Sequence, residues 1–138
     1  MLRTYLLLES IERDFKEVVV ETKILELPSR EPAKLRIELI DGSFADVWIS
    51  ITGKYSYHWD RFEIDGTIYR YDNAPHKAWA YVATFPHHFH NKNDKNVTES
   101  DLIYIPEMQM KKFMNFIRKT LVQEIQSEIK DASHENYQ

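Results

Sequence analysis

Three short blocks of the sequence concentrate side chains that can transfer protons or contact phosphate. The blocks span residues 55–59, 70–76 and 85–90, and they hold five of the six histidines together with an arginine and an aspartate. Histidine takes up or releases a proton near neutral pH, and the planar guanidinium of arginine matches the oxygens of a phosphate. These are the components of a ribonuclease that needs no metal ion.

The candidates for catalysis in these blocks are His58, Arg70, Asp72, His76, His88 and His90. In such an enzyme, one histidine would remove the proton of a ribose 2′-OH and a second would protonate the leaving 5′ oxygen. We assign His58 to one of these roles and one of the other three histidines in this set to the second. Arg70 would stabilise the charge that develops on phosphorus, and Asp72 would orient a histidine. The products would be a 2′,3′-cyclic phosphate and a 5′-OH.

A second set of residues is a candidate for substrate binding: Tyr57, Trp59, Asn73 and His87. Exposed aromatic side chains can stack on bases. The aromatic strand is also typical of a buried core, and that alternative stays open. In the same way, His58 also fits a hydrogen-bonded histidine within an aromatic cluster, and Arg70 with Asp72 also fits a structural ion pair.

The pair His88 and His90 also raises the question of a metal site. In an extended segment these two side chains point the same way and can bind zinc, copper or nickel. A third ligand would come from His58, His76 or Asp72. The chain has no cysteine and no HExxH motif, so we expect no cofactor. Zinc or another divalent ion on His88 and His90 is the alternative.

Composition and charge narrow the class of protein. The chain has 138 residues and a net charge of −4, which predicts a single domain and argues against a broad surface for nucleic acid. Residues 68–96 nevertheless carry four basic against two acidic residues and four of the six histidines. We therefore expect any RNA to bind at one small site.

Several classes of protein are excluded by residues that the chain lacks. Without cysteine it has no disulfide framework, thiolate zinc site or cysteine nucleophile. Its three glycines are too dispersed for a phosphate-cradling loop. The apolar run near the first residue is too short for a signal peptide, and we find no candidate membrane span. We expect a cytoplasmic protein.

The hydrophobic pattern predicts one α+β domain over residues 1–130, with a polar, frayed tail at 131–138. A strand with a bulge is expected at 17–27, and residues 4–14 fit either a short helix or a strand. Alternating residues on either side of Asp41–Gly42 and of Asp65–Gly66 predict two hairpins. Together they predict an antiparallel meander of about four or five strands. An amphipathic helix of about 20–25 residues is predicted after Pro106, packed on one face of the sheet.

The positions of the three blocks in the predicted fold depend on two weaker parts of the hydrophobic pattern. A two-residue turn at Asp65–Gly66 would pair His58 with Asn73 and Trp59 with Asp72. Residues 72–100 lack a period and are expected to form a long connection, with a short strand at 81–85. Loops of this length are commonly functional.

The three blocks, taken in order, resemble the TumE-type toxin family. Its usual pattern is Tyr-Ser-Tyr-His-Trp, then Arg-Tyr-Asp-Asn-Ala-Pro-His-His, then Phe-Pro-His-His-x-His. The chain matches each block in sequence, and the resemblance covers roughly residues 34–125. Lys77 stands where the family has its second histidine after Asn-Ala-Pro. The resemblance implies the toxin half of a toxin–antitoxin pair with a helix-turn-helix antitoxin as partner. It implies no activity, so ribonuclease chemistry is our inference from the residues.

Two other functions stay open. The histidine-rich segment fits a binding or regulatory module that docks a protein partner without catalysis. It also fits a metal-binding protein or a metal-dependent hydrolase that uses His88 and His90. RNA and the antitoxin are the expected partners, a membrane is not, and the sequence is compatible with a homodimer.

Overall fold

The structure is a computed structural model that describes residues 1–135, with side chains described to residue 133. It is an α+β fold, as predicted. The helices are α1 (Leu2–Ser10), the single turn α2 (Phe62–Asp65) and α3 (Pro106–Glu135). The strands are β1 (Val19–Glu26), β2 (Pro32–Leu39), β3 (Phe44–Ile49), β4 (Tyr55–Arg61), β5 (Thr67–Asp72), β6 (His88–Lys92) and β7 (Val97–Glu99). Short 3-10 helices follow α1 at Ile11–Phe15 and precede β6 at Lys77–Trp79.

The seven strands form one antiparallel sheet in chain order, from β1 to β7. The predicted meander is confirmed, but it has more strands than expected because β6 and β7 come from the segment 72–100. Both strands are short and polar, which is why they show no clear period. The strand expected at 81–85 is wrong, since these residues form turns.

The core lies on one face of the sheet, between the sheet and the helices α1 and α3. Inward-facing residues of the strands pack against Phe113, Ile117 and Leu121 of α3 and against Tyr5 and Leu8 of α1. The predicted C-terminal helix is therefore confirmed. It extends through residues 131–135, and residues 136–138 lie outside the described part of the chain.

The N-terminal half of the prediction also agrees with the structure. Residues 4–14 are helical rather than extended. The pairing of β1 with β2 shifts between Val19 and Glu21 and again between Leu25 and Glu26, so the strand is irregular at both ends of the stretch in which the sequence pattern slips. The first hairpin turns where Asp41–Gly42 predicted, with Gly42 at φ +87°. Within the described residues, no helix is long and apolar enough to cross a membrane.

The second hairpin differs from the prediction, and the difference determines which side chains of β4 and β5 meet at the candidate site. Its connection is not a two-residue turn, because Arg61 pairs with Thr67 and residues 62–66 lie between them. The carboxylate of Asp60 accepts the Phe62 amide at 3.0 Å, and that of Asp65 accepts the Thr67 amide at 3.1 Å. These side-chain bonds at both ends favour a helical turn, which Gly66 closes at φ +78°.

The longer connection changes every pairing between β4 and β5. His58 faces Arg70 rather than Asn73, and Trp59 faces Tyr69 rather than Asp72. Residues that pair directly across two strands share a face of the sheet. His58 and Arg70 therefore lie on the same face, whereas the predicted pairing would have placed them on opposite faces.

Candidate active site on the outer face

The face of the sheet away from the helices, which we call the outer face, carries the predicted catalytic residues in two adjacent rows. One row crosses five strands through directly paired residues: Arg36, Asp46, His58, Arg70 and His90. The neighbouring row crosses four strands in the same way: Trp48, Ser56, Asp72 and His88. The antiparallel register thus brings together five of the six catalytic candidates, with Asp72 and Arg70 at the centre.

His58 and Arg70 form the accessible part of the site. Their side chains are 24% and 26% exposed. Burial and the positive charge of Arg70 lower the pKa of His58, while the negative charges of Asp60, Asp46 and Asp94 act in the opposite direction. The His58 imidazole is therefore neutral at pH 7 and able to accept a proton.

A buried triad of Asp72, His88 and His90 lies beside this pair. The two histidines are 1% and 3% exposed. Oδ1 of Asp72 is 2.9 Å from Nε2 of His88, and its Oδ2 is 3.6 Å from Nε2 of His90. The Nδ1 atoms point away from Asp72, to the carbonyl of Pro86 at 2.8 Å and that of Asp94 at 3.0 Å.

Arg70 connects the accessible pair with the triad. Its Nε donates to Oδ2 of Asp72 at 3.1 Å. One terminal nitrogen lies 2.9 Å from Oδ1 of Asp94 and 3.3 Å from Nε2 of His90. Burial by itself would raise the pKa of Asp72. The contacts with His90, the Ala74 amide, His88 and Arg70 outweigh it, so the pKa lies below the usual value. The carboxylate is thus ionised and holds the guanidinium in place.

The segment between β5 and β6 covers the triad. Asp72 starts it by accepting the Ala74 amide at 3.0 Å. The ring of Trp79 then lies 6.4 Å from that of His88 and 5.8 Å from that of His90, between ring centres. His76 also lies on this segment: the residue is exposed, its Nδ1 accepts the Ala78 amide at 3.1 Å, and its ring centre lies 6.1 Å from that of Trp79.

The two aromatic residues expected to bind substrate lie elsewhere. Tyr57 and Trp59 are fully buried in the core. The Tyr57 hydroxyl lies 3.1 Å from Oε1 of Gln109, and the Trp59 indole donates to Oγ of Ser43 at 2.8 Å. Because β4 alternates, His58 on the outer face requires both of its neighbours to point inward.

Asn73 and His87 are also occupied by structural contacts. Asn73 accepts the Tyr55 amide at 3.0 Å and donates to the Gly53 carbonyl at 2.9 Å, which fixes the turn before β4. The His87 ring lies 2.7 Å from the Tyr55 hydroxyl. Tyr55 points into the core, so the structure does not bring His87 to the outer face.

Trp48 is an exposed aromatic residue on the outer face. Its side chain is 43% exposed, in the row of Ser56 and Asp72. Sequence reasoning missed it, although one indication was there. Val47 and Ile49 alternate as buried residues of β3, which places the large aromatic side chain between them on the other face.

The triad has the composition of a metal site. One ligand atom each from Asp72, His88 and His90 lies within 4.8 Å of the other two. Asp72, rather than His58 or His76, thus takes the third position beside the histidine pair. Two imidazoles and a carboxylate are a donor set that first-row transition metals accept.

Comparison with known proteins identifies the family. The sequence model of the family described as Toxin TumE matches residues 7–121, which include the whole sheet and all three blocks. No curated protein and no solved structure matches the chain. The chain belongs to the TumE toxin family and is the toxin component of a toxin–antitoxin system.

Proposed function

We propose that this toxin cleaves RNA by a metal-independent transesterification on the outer face of the sheet. The observation that supports it most is the direct pairing of His58 with Arg70. This pairing puts a neutral proton acceptor beside a phosphate-binding group, and both side chains are partly exposed. No other pair of the predicted catalytic residues within the described chain combines these properties.

In this mechanism, His58 removes the proton of the ribose 2′-OH. The oxygen attacks phosphorus, so the O2′–P bond forms while the P–O5′ bond breaks. Arg70 stabilises the negative charge on the phosphoryl oxygens. The electron pair of the broken bond stays on the 5′ oxygen, which takes a proton from a second histidine. The products are a 2′,3′-cyclic phosphate and a 5′-OH.

The exposure of the remaining candidate histidines indicates which of them donates the proton. His88 and His90 are almost fully buried, whereas His76 is exposed. Nδ1 of His76 accepts the Ala78 amide, and Nε2 is the atom open to a substrate. To give a proton, the ring must be the imidazolium, so a proton on Nδ1 replaces the Ala78 contact and the proton on Nε2 passes to the 5′ oxygen, which leaves a neutral ring. We assign the proton donor to His76. The buried histidines and Asp72 have a positioning role, because Asp72 fixes the Arg70 guanidinium.

Trp48 supplies the base contact in this proposal. It replaces Tyr57 and Trp59, whose rings are buried. Stacking of a base on an exposed aromatic ring tolerates any sequence. This tolerance fits a small site on a chain with a net charge of −4, where phosphate contacts are few.

The partner follows from the family. A toxin of this class acts with an antitoxin, and we propose a helix-turn-helix protein in that role. Its gene is expected beside that of the toxin. Co-expression of both genes followed by purification of the complex tests this assignment, and a complex without DNA-binding activity would contradict it.

The activity is tested with protein purified without an affinity tag and a labelled single-stranded RNA. Each reaction runs with and without EDTA, and the product ends are mapped. The variants are His58→Ala, Arg70→Ala and, as control, Arg3→Ala, which removes an exposed arginine on α1. We expect cyclic phosphate ends in the presence of EDTA, no cleavage by the first two variants and full cleavage by the control. A second substrate with a single 2′-deoxyribose at the cleaved position must resist.

Two outcomes would contradict this function. Cleavage that EDTA abolishes would assign the chemistry to a metal ion. An absence of cleavage on several unrelated RNAs would reject the ribonuclease and favour a protein-binding module.

A further inference from the structure

We propose that Asp72, His88 and His90 form a binding site for a divalent ion of the zinc class, and that the Arg70 guanidinium competes with the ion for this site. The ligand atoms would be Nε2 of both histidines and one oxygen of the carboxylate. This inference concerns binding and stands independently of RNA cleavage. It is argued from the anchoring of the rings, their rigidity and the position of Arg70.

The first argument is the hydrogen bonding of the two rings. In each, Nδ1 faces a backbone carbonyl, that of Pro86 or Asp94. A carbonyl only accepts, so Nδ1 carries a hydrogen in each ring, and Nε2, which faces Asp72, is the atom that a metal ion would bind in place of any proton there. Metal-bound histidines are usually anchored in this way, with the second ring N–H donated to a carbonyl or carboxylate.

The second argument is the contact between His88 and Asp72. Nε2 of His88 lies 2.9 Å from a carboxylate oxygen in a buried position. At this distance Nε2 can donate a hydrogen to the carboxylate. A zinc ion would replace that hydrogen and keep the ring orientation that the Pro86 carbonyl imposes.

The third argument is preorganisation. Asp72 and His88 are directly paired residues of β5 and β6, and His90 follows on the same face of β6. The three side chains therefore stand on the backbone of a sheet rather than on a loop, and Trp79 packs over both rings. A rigid set of three ligands leaves a fourth position for water or another group, as in many zinc sites.

Arg70 is the cation that competes for this position. Its guanidinium contacts Oδ2 of Asp72 and Nε2 of His90, and the second of these is an atom that the ion would need. A bound ion must displace it. The side chain is a quarter exposed and is already paired with the exposed carboxylate of Asp94. On displacement, the guanidinium can therefore move towards Asp94 and the solvent.

The test uses zinc alone as the probe and needs no RNA. Untagged protein is stripped with a chelator, dialysed and titrated with Zn²⁺ by calorimetry, and Co²⁺ replaces zinc for visible absorption spectra. We expect one ion per chain and a rise in melting temperature on binding. His90→Gln is expected to abolish the zinc heat and the cobalt bands. His87→Gln, which removes a neighbouring histidine on the other face, is the matched control and should keep both.

Arg70→Gln makes the proposal testable even if the histidine variant fails to fold, because it removes no ligand. Loss of the competing cation should tighten zinc binding by about tenfold or more. An absence of saturable binding would overturn the proposal. Equal loss in the His87 and His90 variants would do so too, as would unchanged or weaker affinity in Arg70→Gln.

Discussion

His58 of β4 lies directly opposite Arg70 of β5 on the outer face of the sheet. The guanidinium is a fixed positive charge next to a titrating imidazole, and it adds to burial in lowering the pKa of His58. One cross-strand pair therefore supplies both a phosphate contact and the neutral form of the base.

This coupling predicts the response of His58 to its neighbours. Arg70→Gln should raise the pKa of His58, because only the lowering effect of burial remains against Asp60, Asp46 and Asp94. Asp60→Asn should lower it further, since Nε2 of His58 lies 3.9 Å from that carboxylate. NMR titration of the ring protons measures both shifts. Equal pKa values in the wild type and the two variants would contradict the coupling.

The same reasoning fixes the sign of the pH–activity profile. A base must be deprotonated, so cleavage should fall as the pH drops through the pKa of His58, below its usual 6.5. In Asp60→Asn, the acidic limb of the profile should move to lower pH. The rate of cleavage at constant ionic strength gives the profile. A limb that stays in place would show that another group limits the rate.

Trp48 is predicted to contribute to RNA affinity. A stacked base is worth about 1–3 kcal/mol, so Trp48→Ala should weaken binding by about tenfold. Fluorescence anisotropy with labelled RNA, in a His58→Ala background that prevents cleavage, measures this. Tyr104→Ala removes another exposed aromatic residue, two residues before α3, and should leave the affinity unchanged. Equal losses would assign Trp48 no special role.

The sequence predicted the elements of this fold better than their pairing. Alternation revealed β2, β3 and β4, and four-residue spacing revealed α3, because each buries one face. The register of β4 and β5 was wrong because it depended on one turn. The bonds of Asp60 and Asp65 to nearby amides lengthen that turn, and the Asp-Gly pair alone does not indicate them.

The sequence predicted which types of residue form the candidate site, but it predicted only part of their arrangement. The candidate set contained the five residues that the register brings together, which are His58, Arg70, Asp72, His88 and His90. The sequence had instead placed His76 in one neighbourhood with His58, Arg70 and Asp72. Burial was not predictable, because His88 and His90 are covered by Trp79 from an aperiodic segment. Predicting that Trp48 is exposed would have required knowledge of which face of the sheet the helices cover. Spacing can indicate which side chains share a face but not what packs on it.

Asp72→Asn should destabilise the protein at neutral pH. The variant removes a buried negative charge that contacts Arg70 and His88. We expect the free energy of unfolding to fall by about 2 kcal/mol. The pKa of Asp72 is lowered below its ordinary value of 3.8, so this stability is present above that value and is lost as the pH falls through the folded-state pKa. Urea unfolding at pH 7 and below pH 4 tests both points, and the difference between the proteins should shrink in acid.

Glu124→Gln should loosen α3 from the sheet. Arg61, at the end of β4, is 3% exposed, and its two terminal nitrogens each donate to Glu124 at 2.7 Å. Glutamine keeps one acceptor oxygen but loses the charge and the second contact, so the buried guanidinium depends more on its longer contacts with Asp41 and Asp65, both at 3.3 Å. Since a hydrogen bond to a charged group contributes about 1.5–3 kcal/mol, we expect a loss of about 2 kcal/mol in urea unfolding. Glu128→Gln, one turn further along α3, should cost almost nothing, and equal losses would show that Arg61 does not depend on this pair.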